Sequence, residues 1–172
     1  MERKEAIVRR EDRERSEEFG RRVFETCEYA TMSMVDEKNE PYAVPISPVL
    51  VGDCLYIHGA FEGTKNEILK AHPRVCVSAV SFTHLVPEKF TTEYASAVAM
   101  GRVSVVEGEE EKRSAMREIC LKYAESRMEF FDKAFRGSFH RTNVLKIALE
   151  TITAKGKLYD RGEEIWEMPW RH

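Results

Sequence analysis

Tyr56-Ile57-His58-Gly59-Ala60-Phe61-Glu62-Gly63-Thr64-Lys65-Asn66 carries a short apolar strand through two glycines and a lysine into an amphipathic segment. The glycines permit close backbone approach. The first turn of the helix that follows presents unpaired N–H groups at the positive end of its dipole, and Lys65 adds a full charge. This combination is an anion site for which a phosphate is the natural occupant; the alternative is a plain strand-turn-helix connection with a solvated lysine. A nucleoside-triphosphatase loop is excluded, because three residues separate Gly59 from Gly63 and threonine precedes the lysine instead of following it.

Upstream, Asp36-Glu37-Lys38-Asn39 and Val51-Gly52-Asp53 are turn signals. The segments Tyr29 to Val35, Tyr42 to Val51 and Cys54 to His58 between and beside them read as strands, giving two hairpins and a meander that opens an antiparallel sheet. Pro41, Pro45 and Pro48 deny the middle strand a regular hydrogen-bond ladder, so it belongs at an edge, a bulge or a ligand-lined rim. Earlier still, Phe19, Val23, Phe24 and Cys27 recur at helical spacing, a surface helix with one buried face that Asp12 or Ser16 can cap. The charge run before it is a solvated helix face, and residues 1–15 form an N-terminal arm.

Downstream, Ile68, Leu69 and Ala71 predict a short helix that stops at His72-Pro73, since proline disfavours helical geometry in the preceding residue. A strand from Arg74 to Ser81, a connection over the barrel mouth from Phe82 to Phe90, and a long strand from Thr91 to Val106 with a bulge or bend at Gly101 follow. Glu109-Glu110-Glu111 starts an acidic helix with Met116, Ile119, Cys120 and Tyr123 as its apolar core stripe. A further helix from Glu125 to Phe135 is broken by Gly137, and Asn143 to Ala154 closes the sheet with Leu145, Ile147, Leu149 and Thr151 on one face. In the tail from 155 to 172, Trp166 and Trp170 either cover a ligand or partner subunit or pack against their own barrel.

The chain of 172 residues is expected to be one domain, with 42% hydrophobic and 33% charged residues, an ordinary globular composition. No apolar run approaches the roughly 20 residues that span a bilayer, and the charged N-terminus is unlike a signal peptide, so a cytoplasmic location with no membrane partner is expected. A net charge of -3 with acids and bases interleaved lacks the concentrated basic surface of a nucleic-acid binder. Cys27, Cys54, Cys76 and Cys120 are scattered and read as buried free thiols, and the five histidines have no metal-ligand spacing, so no protein-ligated metal is expected.

Four stretches, in order, carry a family resemblance: Pro41-Tyr42-Ala43-Val44-Pro45, Tyr56 to Ala60 with Gly63-x-Lys65, Val86 to Thr92, and Ser96-Ala97-Val98-Ala99-Met100-Gly101-Arg102. Over roughly residues 15 to 155 the chain resembles the pyridoxamine-phosphate-oxidase-like superfamily of flavin-binding split β-barrels, and within it the 5-nitroimidazole-resistance proteins most. The resemblance implies a mainly β fold, an antiparallel split barrel with flanking helices. It implies a homodimer binding FMN, or in some members FAD, in two clefts at the subunit interface. Val44, Pro45, Ile46 and Ser47 would line the isoalloxazine, with His58, Gly59 and Ala60 continuing that wall. Thr64, Lys65 and Asn66 would hold the phosphate, and the segment around Tyr94 and Ser96 would face the cleft across the interface. The family often has histidine where this chain has Thr64; a hydroxyl still serves a phosphate, but chemistry that needs an imidazole there is lost.

The implied activity is a flavin-dependent reduction of a small acceptor such as a nitroaromatic or quinone. With no Gly-x-Gly-x-x-Gly fingerprint in the sequence, a nicotinamide donor would dock only transiently. Two alternatives stand beside it: a non-catalytic flavin-binding or storage module, and a haem-binding split barrel with a histidine ligand. His58 is either a hydrogen-bonded packing residue at a strand end or an acid or base. His72 reads as a helix-end residue, and His84 lies in the connection where it could meet substrate.

Overall fold

The helix expected around Phe19 and Val23 runs from Glu17 to Thr26 (α1) in the computed structural model, which describes residues 9–168. Ser16 is its cap, with Oγ accepting from the Phe19 N–H at 3.2 Å, an arrangement worth about 1 kcal/mol. Asp12, the other candidate, pairs with Arg10 and Arg13 instead. Val23 and Phe24 are fully buried on the face turned to the sheet.

The strands are β1 (Glu14–Arg15), β2 (Ala30–Val35), β3 (Pro41–Ile46), β4 (Val49–Val51), β5 (Cys54–Gly59), β6 (Arg74–Val86), β7 (Thr91–Val105) and β8 (Asn143–Lys157). They pair in the order β3-β2-β6-β7-β8-β5-β4, with β1 alongside β8, and every ladder is antiparallel. Both expected hairpins form, β2 with β3 and β4 with β5, but they stand at opposite ends of the order and do not make a meander. The long middle strand divides at Ser47-Pro48, where proline has no N–H to continue a ladder. Only those two residues join the two edge strands, so the sheet has to curl until its edges approach without pairing. The result is a split barrel whose sheet is not closed.

Two bulges decide which side chains face inward. A register shift between Val80 and Phe82 lets β6 continue to Val86, so the expected Phe82 to Phe90 connection shrinks to a turn at Pro87–Lys89. Phe82, Thr83, Leu85 and Val86 are strand formers, and Pro87 marks only the turn. In β8, Met100 lies opposite Thr151 and Gly101 opposite Leu149, which leaves Glu150 as the extra residue. The bulge reverses the alternation: Ile152 and Ala154 pack in the core after Leu145, Ile147 and Leu149, while Thr151, expected on that face, is exposed. A Cβ on Gly101 would lie 2.6 Å from the Ala148 carbonyl oxygen, so only glycine fits this crossing.

The remaining helices are α2 (Thr64–Ala71), α3 (Glu109–Tyr123) and α4 (Phe131–Ser138). The single helix expected from Glu125 is a 3-10 turn over Glu125–Phe130 followed by α4, and Gly137 lies inside α4 without breaking it. The main core fills the barrel and includes Phe24, Met32, Leu55, Ile57, Val77 and Ile147. A second cluster on the outer side, Val49, Tyr56, Val106, Ala115, Ile119 and Val144, is covered by α3.

Trp166 packs on its own barrel: its ring meets Phe19 edge-on at 4.9 Å and lies under the Arg22 guanidinium at 4.5 Å. Trp170 lies outside the described residues. The tail is also held by buried Glu93, which accepts from the Tyr159 N–H at 2.6 Å and from Arg161 Nη2 at 2.7 Å. All four cysteines are free, Cys27 buried and the others half-buried. Among the described residues no helix is long and apolar enough to cross a membrane.

Candidate functional site

β5 ends at Gly59, and the chain turns through Ala60 to Gly63 before α2 begins at Thr64. Gly63 has φ +118°, a region that side chains disfavour, which sets the angle between loop and helix. Lys65 then folds back: its Nζ lies 3.1 Å from where a Cβ on Gly59 would stand. Any other residue at 59 would crowd the ammonium. Lys65 is half-buried, and burial lowers its pKa from the ordinary lysine value. Neither its Nζ nor the N–H groups of Thr64 and Lys65 have a hydrogen-bond or ion-pair partner among the described residues.

Asn66 braces this loop. Its Nδ2 donates to Ala60 O at 2.9 Å and to Glu62 O at 3.1 Å, while its Oδ1 is buried without a partner. What it gives the site is therefore the shape of the turn. Asn143, opposite Gly59 on β8, is also buried with an orphaned Oδ1. The sequence reading missed it, although its phase with Leu145 and Ile147 places a polar side chain on the inward face.

His58 points to the other side of β5, opposite Val144. Its side chain reaches the surface, yet desolvation, with the Lys65 charge second, holds its pKa below the ordinary histidine value. Next to it, Glu111 accepts from the Tyr56 hydroxyl and from Lys146 Nζ, both at 2.9 Å. These bonds keep the Glu111 carboxyl below its usual range.

The seam between the sheet edges is crossed at Ser47-Pro48, and beyond it Val49 lies opposite Tyr56. Val44 and Ile46 turn into the main core, while Pro45 and Ser47 are exposed. The seam is clamped from α3: Lys122 Nζ donates to Pro48 O and Phe24 O, each at 2.9 Å, and the Tyr123 hydroxyl donates to Pro48 O at 2.9 Å. Lys122 is buried, which lowers its pKa, and it was not legible as a seam residue beside the apolar stripe of α3.

Of the expected site residues, His58 to Ala60 and Thr64 to Asn66 lie together on β5, the loop after it and the first turn of α2, while Val44 to Ser47 lie at the end of β3 before the Pro48 crossing. Tyr94 and Ser96 lie elsewhere. Tyr94 lies opposite Lys157 and Ser96 opposite Lys155, at the far end of β8 from Asn143. They belong to an outer face with an unusual composition. Pro45, Thr31, Ser78, Val98 and Thr153 form one row across five strands, and Ala43, Ser33, Cys76, Met100 and Thr151 form the next. Neither row contains a charge.

A concavity of about 670 Å³ lies elsewhere, where Pro41, His72, Arg74 and Arg102 meet, and includes none of the expected flavin residues. His72 ends α2 as expected, and His84 lies opposite Glu93 on β6. Among the described residues no group of three or more His, Cys, Asp or Glu could hold a metal ion.

Residues 20–156 match the family described as pyridoxamine 5'-phosphate oxidase. No curated protein matches the sequence significantly. Among solved structures, one similar fold is a protein assigned by inference to 5-nitroimidazole antibiotic resistance, from Bacteroides thetaiotaomicron. It has 23% identity and a TM-score of 0.64 over 82% of this chain and 84% of that one. The flavocytochrome Anf3 from Azotobacter vinelandii is 16% identical with a TM-score of 0.72, over 95% and 78% of the two chains. The FAD and heme binding protein from Mycobacterium smegmatis is 22% identical with a TM-score of 0.68, over 87% and 76%.

Proposed function

The chain belongs to the pyridoxamine 5'-phosphate oxidase family, and from that premise we propose that it binds a flavin, as FMN, whose phosphate rests on Lys65 and the first turn of α2. The observation that carries this reading is the Lys65 ammonium, folded against Gly59 with no carboxylate partner among the described residues. A half-buried cation beside unpaired backbone N–H groups is an anion cradle waiting for its charge. The orphaned Oδ1 of Asn143, opposite Gly59, leaves an acceptor for a polar ligand. Solved neighbours described as binding FAD agree with a flavin of either kind.

The chain acts as a homodimer in this proposal. Two uncharged rows five strands wide are a poor solvent face in a chain with 33% charged residues, and a second copy would cover them. Pro45 lies in the first row and Ser96 beside it, so the surface that would pair also carries expected flavin contacts.

A bound flavin supplies electron transfer to a small acceptor such as a nitroaromatic or quinone. The residues here bind and orient it. His58, with a lowered pKa, is neutral near pH 7 and accepts rather than donates a proton. Thr64 offers a hydroxyl, which is no acid in that range.

The test is an absorbance spectrum of purified protein followed by titration with FMN and reduction with NADH or NADPH. A yellow, stoichiometric complex that a nitroaromatic reoxidises supports the reading. A violet-region haem band, or no uptake of FMN, rejects it.

A further inference from the structure

α3 carries more apolar surface than the barrel uses. Ala115 and Ile119 are buried in the outer cluster, whereas Met116, Cys120 and Ala124, one turn apart on the adjoining face, line a concavity between α3 and α4. Across it Phe131, Ala134, Phe135 and Ser138 recur at helical spacing on α4, with the Phe131 and Phe135 rings buried and stacked at 5.7 Å. The helices do not close on each other, and about 250 Å³ stays open between them. Short side chains at Cys120, Ala124 and Ala134 leave that space. Protein interiors rarely keep voids larger than a water molecule, so apolar walls around a space of this size are the mark of a ligand site.

The turn that joins the helices supplies the charged group. Glu125–Phe130 is a 3-10 helix, in which side chains three apart eclipse, so Ala124, Arg127 and Phe130 fall in one row at the concavity while Glu125 and Glu129 fall outside that row. The Arg127 guanidinium lies over the Phe130 ring at 4.7 Å, and among the described residues it has no carboxylate or carbonyl partner. Arg113, which lies over Phe131 and Phe135, is paired with Asp132. The concavity thus has apolar walls, one cation without a counter-charge at its rim and no acid among its lining residues.

Size and shape narrow the ligand. A cavity of about 150 Å³ takes benzene, so about 250 Å³ takes roughly 10 non-hydrogen atoms. The lining runs from Met116 to Ala124, about 12 Å along the helix, which suits a chain better than a ring system. We infer that the groove between α3 and α4 binds a small amphipathic carboxylate, an acyl chain of about eight carbons whose carboxylate rests on Arg127. The site shares no residue with the Gly59–Lys65 cradle and stands whether or not flavin binds. Because α3 also carries the Lys122 and Tyr123 donors to Pro48, a ligand that fastens α3 to α4 stabilises the seam as well.

Titration calorimetry with octanoate, octanol and acetate measures affinity, and alkylation of Cys120, followed by peptide mass spectrometry, reports the place, since its half-buried thiol lines the groove. Octanoate is expected to bind saturably, to slow alkylation of Cys120 but not of Cys76, and to raise the melting temperature. Acetate, which lacks the chain, should do none of these. Octanol should bind roughly 10-fold more weakly, the loss of one charge-assisted hydrogen bond. Arg127→Gln is expected to erase the preference for octanoate over octanol, and Ala134→Phe to abolish binding of both. Both positions are exposed, so the fold is expected to persist, which circular dichroism checks. Octanol bound as tightly as octanoate by wild type, or an unchanged preference in Arg127→Gln, overturns the inference and leaves a plain apolar void. No saturable octanoate binding, or binding that Ala134→Phe does not affect, overturns it as well.

Discussion

Lys122 Nζ donates to the Pro48 carbonyl at 2.9 Å, which ties α3 to the two-residue crossing between the open edges of the barrel. The same ammonium donates to Phe24 O, so one buried cation fastens the end of α1, the seam and α3 together. Tyr123 adds a second donor to Pro48 O.

Removing that cation takes the ammonium donor from Phe24 O and leaves Pro48 O with the Tyr123 hydroxyl alone. Lys122→Met is expected to destabilise the fold by about 2–4 kcal/mol, and Tyr123→Phe by about 1 kcal/mol, because Lys122 still serves Pro48 in the second variant. Urea midpoints at constant m-value measure both. Equal losses in the two variants contradict the assigned clamp.

Glu93 predicts a pH effect. Its bonds from Arg161 and the Tyr159 N–H lower its folded pKa below the unfolded value of 4.5. Carboxylate formation therefore favours the folded, tail-docked state above pH 4.5, and this contribution disappears as pH falls through the lower folded pKa. Glu93→Gln should expose the tail at neutral pH, with faster tryptic cleavage after Arg161. A tail equally protected in both proteins, at pH 7 and at pH 3, removes Glu93 from the latch.

Gly59→Ala tests the cradle by crowding. The new methyl meets the Lys65 ammonium at about 3.1 Å, so the lysine has to give way by a few tenths of an ångström. FMN affinity is expected to fall several-fold with little change in melting temperature, since the site is at the surface. Unchanged affinity places the phosphate elsewhere.

Thr64 is the position at which the resemblance leads one to expect a histidine. If that position only helps hold the cofactor, Thr64→His leaves acceptor reduction nearly unchanged, which is the expected outcome. A gain of about 10²–10⁴-fold in single-turnover oxidation by a nitroaromatic indicates general acid catalysis instead. It would come with a titration near pH 6.5, the ordinary histidine value.

The order of strands and helices was largely readable, because Pro41, Pro45 and Pro48 restrict their strand to an edge, a bulge or a rim, of which the edge is what forms, and His72-Pro73 ends α2. What failed were features set across strands. Gly101 marked the β7–β8 irregularity, but nothing local says that the extra residue is Glu150 on β8, nothing in Ala79 to Thr83 announces the other bulge, and each bulge decides which side of the barrel every later residue faces. The meander was misread because short-range turn signals cannot say that the edges flanking Ser47-Pro48 lie at opposite ends of the order. In the site, the glycine-lysine loop was legible from spacing, while the Lys122 clamp and the orphaned Asn143 depend on contacts between distant segments.

The central claim is that Lys65 holds a flavin phosphate, and Lys65→Ala tests it by comparing two ligands that differ only in that group. A charge-assisted hydrogen bond is worth about 1.5–3 kcal/mol, or on the order of a 10- to 100-fold change in Kd. Titration of wild type and Lys65→Ala should show FMN binding weakened by that factor, riboflavin binding nearly unchanged, and no loss of thermal stability. FMN and riboflavin weakened equally, or neither weakened, contradicts the account.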